Sequence, residues 1–169
     1  MARLYELLCG RWRLNRRIYD HLGSVQVVSL VVSGTASWIP PSLPRDKQDV
    51  LLYTETGFLT KSGAPVVNIA VTQSYEYRFS RDRPTHAEVL FSNGRVFHEL
   101  VLSAGGDSGE IQHICHVGSS LGRPRTCHPD VYVGSYALSD DGASLVVDWN
   151  VSGPTTSYTS STTFQKLSA

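Results

Sequence analysis

Arg16 and Glu55 are charged side chains that alternation along the chain assigns to inward-facing positions, and a cation beside a carboxylate in an apolar interior can grip a small molecule. In residues 11 to 20, Trp12, Leu14, Arg16, Ile18 and Asp20 share one parity, while Arg13, Asn15, Arg17 and Tyr19 share the other. Trp12, Leu14 and Ile18 belong to a core and take Arg16 with them. A buried guanidinium is costly unless an acid and good hydrogen bonds meet it, so Arg16 needs a partner from another strand. Tyr53, Glu55, Gly57 and Leu59 share a parity, which makes Glu55 available as that partner. A purely structural ion pair is the plain alternative.

The same test aligns Val71, Gln73, Tyr75, Tyr77 and Phe79, then Asp130, Tyr132, Gly134, Tyr136 and Leu138. Trp149 falls between Val147 and Val151, and the last strand offers Tyr158, Thr162, Phe164 and Lys166. If these faces are the inner ones, phenols, amides and hydroxyls surround the ion pair, as expected of a small-molecule pocket with a few convergent polar groups. The opposite parity leaves the phenols outside, where β propensity alone accounts for them. The candidate ligand-binding set is Arg16, Glu55, Gln73, Tyr75, Tyr77, His98, Asp130, Tyr132, Trp149 and Tyr158. Glu55 and His98 are the candidate acid–base groups, since histidine titrates near neutral pH, and a histidine bonded to a neighbouring strand is the alternative for His98.

Other chemistry finds less support. His113, Cys115, His116, Cys127 and His128 carry metal-ligand atoms, but their spacing fits no standard zinc pattern, and on a strand His113 and Cys115 face away from His116. A haem-type barrel needs an interior axial ligand, and no histidine follows His128. No Ser/His/Asp machinery is recognisable, and Gly105-Gly106 follows a strand but opens no helix. Neither a metal nor a cofactor is expected.

The elements that must position these residues are strands. Period-2 alternation rich in Val, Thr, Tyr and Phe predicts strands near 11–20, 25–39, 50–60, 67–80, 87–92, 95–103, 111–117, 130–139, 145–152 and 156–167. One helix is predicted over Arg3 to Cys9, where Leu4, Leu7 and Leu8 share a face and Gly10 can supply a left-handed cap. Asn93-Gly94 and Asp141-Gly142 read as two-residue type I′ hairpins. The Pro40 to Asp46 segment and the 118–126 stretch read as loops. Sequential antiparallel strands without crossover helices predict a single closed up-and-down β-barrel of about eight to ten strands over residues 1–169.

Composition narrows the partners. The chain has 169 residues, with 15 Lys+Arg against 15 Asp+Glu, so no broad positive field exists for nucleic acid or an anionic membrane. Its charged fraction of 18% and hydrophobic fraction of 41% describe a globular chain. The densest apolar run, Val25 to Val32, is far shorter than the ~20 residues of a membrane span, and Glu6 precedes any stretch of signal-peptide length. Three scattered cysteines argue for reduced thiols, and the Asn150-Val151-Ser152 sequon then carries no meaning. A cytoplasmic protein, monomeric or homodimeric, with a small-molecule partner is expected.

Gly10-Arg11-Trp12, after a short helix and opening the first strand, resembles the G-x-W signature of calycins, the lipocalin and fatty-acid-binding superfamily. The resemblance implies that the Trp closes the barrel floor and that Lys166 packs across it. A longer pattern is similar to a lipocalin-like family known as a domain of unknown function. It runs through Gly10-x-Trp12-x-Leu14-x-Arg16-x-Ile18-x-Asp20, Gly34-x-Ala36, Tyr53-x-Glu55-x-Gly57 and Tyr75-x-Tyr77-x-Phe79. It continues with Phe91 to His98, Cys127-x-x-Asp130-x-Tyr132 and Trp149-x-Val151-x-Gly153-Pro154, followed by Tyr158. That likeness implies a closed barrel with a polar cavity and no assigned activity. Thr156 and Ser157 stand where the family usually carries a lysine and an acid, which removes a charge from the site the likeness implies.

Two functions emerge as expectations. The first is a barrel that binds a small, partly polar or anionic molecule, with Arg16 meeting it and Glu55 orienting Arg16. The alternative is a metal-independent isomerase, lyase or decarboxylase in which Arg16 grips a carboxylate and Glu55, His98 or a tyrosine moves a proton. An interaction scaffold carried by the two long loops is a third, plainer expectation.

Overall fold

In the computed structural model the alternation of the first strand survives intact: Trp12 and Leu14 are buried while Arg11, Arg13 and Arg17 are exposed. The structure describes residues 4–22, 25–42, 49–61, 69–102, 112–117, 131–139, 141–153 and 157–168. After α1 (Leu4–Leu8) come β1 (Gly10–Leu22), β2 (Val25–Ile39), β3 (Asp49–Lys61), β4 (Ile69–Phe79) and β5 (His86–Leu90). They are followed by β6 (Val96–Leu102), β7 (Gln112–Val117), β8 (Val131–Leu138), β9 (Ser144–Ser152) and β10 (Ser157–Lys166).

Each strand pairs antiparallel with the next along the chain, and β1 carries β2 on one edge and β10 on the other, so the sheet curls on itself into a barrel-like fold. Two cross-strand registers place the charged residues. Arg16 lies opposite Thr162 of β10 and Val32 of β2, and Glu55 lies opposite Ala36 of β2 and Gln73 of β4. Arg16 and Glu55 are therefore two strands apart and reach each other across the inner face of β2.

One end is plugged by the helix. Leu4 and Leu8 are buried, the Trp12 indole N–H donates to the Leu8 carbonyl (3.1 Å), and Lys166 Nζ donates to the Leu7 carbonyl (3.1 Å). Lys166 Nζ also lies 5.2 Å from the Trp12 ring centroid, the arrangement that the calycin resemblance implied. Tyr5 packs edge-on against Phe79. Gly10 makes the joint between helix and strand at φ +134°, a positive φ outside the left-handed helical region expected for a cap. Among the described residues, no helix is long and apolar enough to cross a membrane.

The turns at Asn93-Gly94 and Asp141-Gly142 differ from the two-residue type expected. Gly94 N donates to the Phe91 carbonyl and Phe91 N donates to the Arg95 carbonyl, both at 2.9 Å. Ser92 and Asn93 are thus the central pair, and Gly94 follows them at φ +79°. Ser139 and Ser144 close the second loop, with Gly142 at φ +65° donating to the Ser139 carbonyl. The physical reason is local: Asn93 Oδ1 accepts from Arg95 N, and Asp141 Oδ1 accepts from Ala143 N. These side-chain bonds stabilise a longer loop in which the glycine takes positive φ.

Candidate functional site

The interior of the barrel holds a cavity of about 230 Å³. Arg16 and Glu55 meet in it as a two-pronged pair: Nη1 to Oε1 and Nη2 to Oε2, each 2.8 Å, while Arg16 Nε donates to Thr162 Oγ1 at 2.8 Å. The Tyr53 hydroxyl donates to Glu55 Oε2 in a close contact. The Glu55 side chain is 4% exposed and that of Arg16 21%, so the carboxylate is the deeper partner and the guanidinium looks toward the space. Burial works against the charge on Arg16, but the hydrogen bonds and charge of Glu55 outweigh it and hold the guanidinium above its ordinary value. Of the five N–H donors of a guanidinium, three are spent on Thr162 and Glu55, leaving two among the described residues with no protein acceptor.

Around this pair stands an aromatic wall built from successive strands. Tyr53 stacks on Tyr75 (5.9 Å, 22°), Tyr75 on Phe97 (5.6 Å, 16°) and Phe97 on Trp149 (5.6 Å, 20°). Tyr132 meets Phe97 and Trp149 edge-on. Deeper in, His98 Nε2 and the Tyr136 hydroxyl are hydrogen-bonded at 3.0 Å, and Trp38 packs against Tyr53, Tyr77 and Phe164. Burial, then the nearby Glu55 charge, push the Tyr53 hydroxyl well above its ordinary value and that of Tyr75 up to about 12. Burial likewise raises Tyr77 and Tyr136. These phenols stay neutral across the physiological range and act as O–H donors, not as phenolate bases.

Phe97 and His98 are consecutive, yet both line the cavity. The ladder between β5 and β6 explains this, because Val89 pairs with His98 but Leu90 pairs with Val96, which leaves Phe97 as an extra residue in a bulge. Trp149 is set by another device. It lies opposite Gly134, and a Cβ on that glycine would fall 2.7 Å from the indole ring. The ring lies flat against the wall because β8 offers no side chain there. Gly134→Val is expected to lever the indole into the cavity at a cost of about 1–3 kcal/mol. With Trp12 and Trp38 buried, a change in emission and in acrylamide quenching will report Trp149, and an unchanged spectrum will refute the seating.

The structure brings Arg16, Glu55, Gln73, Tyr75, Tyr77, His98, Tyr132, Trp149 and Tyr158 to one cavity, which settles the inner parity of the Tyr-rich strands. Asp130 lies outside the described residues, as do Cys127 and His128, and nothing is described of the His113, Cys115 and His116 side chains on β7. The cavity also contains Trp38, Tyr53, Phe97, Tyr136, Ser160 and Thr162. Tyr53, Tyr136 and Thr162 already share parity with the named candidates. Trp38 has a readable signal in the Gly34-x-Ala36-x-Trp38 alternation, whereas Phe97 has none, because a bulge breaks the parity rule.

A profile described as "Family of unknown function (DUF6314)" matches residues 8–166. The chain belongs to this family. Comparison with curated proteins finds no match. Among solved structures it is similar to the S-type phycobiliprotein lyase CPES from Guillardia theta, with a TM-score of 0.58 and 10% identity, covering 98% of this chain and 91% of the lyase. It is also similar to Rv2717c from M. tuberculosis, with a TM-score of 0.58 and 14% identity, covering 96% of this chain and 94% of the other. At such identities the likeness is one of fold alone, and the DUF6314 chain's chemistry has to be read from its own cavity.

Proposed function

We propose that this chain is a cytoplasmic, single-domain closed barrel, spanning residues 1–169, that encloses a small, flat, partly polar organic molecule. The observation that carries the reading is the pairing of an aromatic-walled cavity with a guanidinium that Glu55 and Thr162 pre-orient and that keeps two N–H donors without an acceptor among the described residues. An arginine locked by packing and hydrogen bonds loses little freedom when a ligand arrives, which is how preorganised polar groups confer affinity. The likeness in fold to a phycobiliprotein lyase is in keeping with a small-molecule role.

The catalytic alternative rests on Glu55, which faces the cavity and takes a hydrogen bond from Tyr53. Both of its oxygens are engaged by Arg16 and Tyr53, so proton abstraction would first have to break a buried ion pair. His98 is 3% exposed and its Nε2 is hydrogen-bonded to the Tyr136 hydroxyl, a bond that acid–base work there would first have to break. The binding reading asks for neither rearrangement.

Native mass spectrometry of freshly purified protein is the test. A co-purifying compound of discrete mass, lost in Arg16→Ala, is the expected result. A bare chain whose melting midpoint is moved by no member of a panel of small aromatic compounds would remove the reading, since any ligand of the native state must raise that midpoint.

A further inference from the structure

The charge class of the ligand can be read from the same cavity, on the footing of the binding function just proposed. We infer that the cavity selects an uncharged, acceptor-bearing planar molecule of one or two fused rings and discriminates against the corresponding carboxylate.

The first ground is charge. Among the described lining residues, Arg16 and Glu55 are the only strongly ionised groups, and they cancel. His98 is engaged with Tyr136, and the phenols stay neutral. Asp20, further along the inward parity of β1, is exposed and adds negative charge toward the rim. A ligand carboxylate would lose its hydration and find a guanidinium already neutralised. Glu55 is too deeply buried to move into water and make way. Two carboxylates would then share one cation in a poorly solvated space, which is repulsive.

The second ground is the direction of the hydrogen bonds. The two remaining Arg16 N–H groups are donors, and the Tyr75 hydroxyl accepts from Gln73 Nε2, so its own hydrogen is available to donate. The site offers donors without net charge, the complement of a carbonyl or ring-nitrogen acceptor. The third ground is shape and size. The near-parallel series Tyr53, Tyr75, Phe97 and Trp149 presents ring faces and edges suited to a flat aromatic guest. A cavity of about 230 Å³, set beside the 150 Å³ that accepts the six heavy atoms of benzene, encloses roughly nine non-hydrogen atoms, and because it is open to solvent a two-ring guest extends into its mouth.

Naphthalene-2-carboxamide and naphthalene-2-carboxylate share one shape and differ in charge, and their affinities for the full chain at pH 7.5 can be compared by calorimetry. The amide is expected to bind at least about tenfold more tightly. In Glu55→Gln, where Arg16 loses its counter-charge, the ratio is expected to reverse in favour of the carboxylate. Equal or tighter binding of the carboxylate by the wild-type chain overturns the charge selection while leaving an enclosed-ligand function standing. Binding of neither compound, with no shift in the melting midpoint, overturns both. Should Glu55→Gln fail to fold, the wild-type ratio alone decides.

Discussion

Glu55→Ala is expected to lower folding stability by about 3 kcal/mol, the lower end of the cost of breaking a buried ion pair. The lower end applies because the Arg16 side chain is 21% exposed and can recover part of its hydration from the cavity. Three groups lose their partner at once: two guanidinium N–H donors and the Tyr53 hydroxyl. The energetic signature lies in the pair as a whole. Replacing Arg16 with Met and Glu55 with Leu together removes both charges, and this double variant is expected to be more stable than Glu55→Ala alone, since no uncompensated cation remains. Urea unfolding of the wild-type chain and these two variants measures the difference. A loss below about 1 kcal/mol for Glu55→Ala would mean that the pair behaves as a surface ion pair and that the interior is wetter than the geometry indicates.

Gly34→Ala is the second substitution expected to have a large effect, at about 3 kcal/mol or more, the upper end of overpacking costs, or outright failure to fold. A Cβ at position 34 would lie 2.1 Å from the Thr56 carbonyl oxygen and 2.5 Å from Gly57 Cα. These are backbone atoms of β3, tied on both edges by the ladders to β2 and β4, so nothing can swing aside. The facing glycines, Gly34 and Gly57, let β2 and β3 approach closely. Gly94→Ala is the informative control. Gly94 has φ +79° but nothing within 4 Å of an added Cβ, so its loss is limited to the conformational penalty of roughly 1–2 kcal/mol. Thermal or urea unfolding of both variants distinguishes a steric from a purely conformational role. Equal losses at the two positions would contradict the close approach of β2 and β3.

Much of this architecture is legible in the chain because a pleated strand turns successive side chains to opposite faces. Trp12, Leu14 and Arg16 share a parity, so the placement of Arg16 follows from that of Trp12 without any knowledge of the rest of the molecule. The same rule groups Gln73 with Tyr75 and Tyr77, and it finds all ten strands within a residue or two of their ends. It fails where the local backbone departs from the simple pleat. The bulge at Phe97 puts two neighbours on one face, and the side-chain bonds of Asn93 and Asp141 lengthen loops that the dipeptides alone suggest are tight.

Periodicity and residue type therefore determined the all-β class, the two alternating faces of each regular strand, the inward face of β1 and the need of Arg16 for an acid, but not which face of the Tyr-rich strands points inward. Tertiary structure decided which inward residues meet. Glu55 faces Arg16 across β2 because of the registers of two successive ladders, His98 meets Tyr136 from a strand two places away, and Trp149 lies flat because Gly134 happens to be opposite it. The reason is that parity is a property of one strand, whereas register and stagger belong to pairs of strands and accumulate around the sheet.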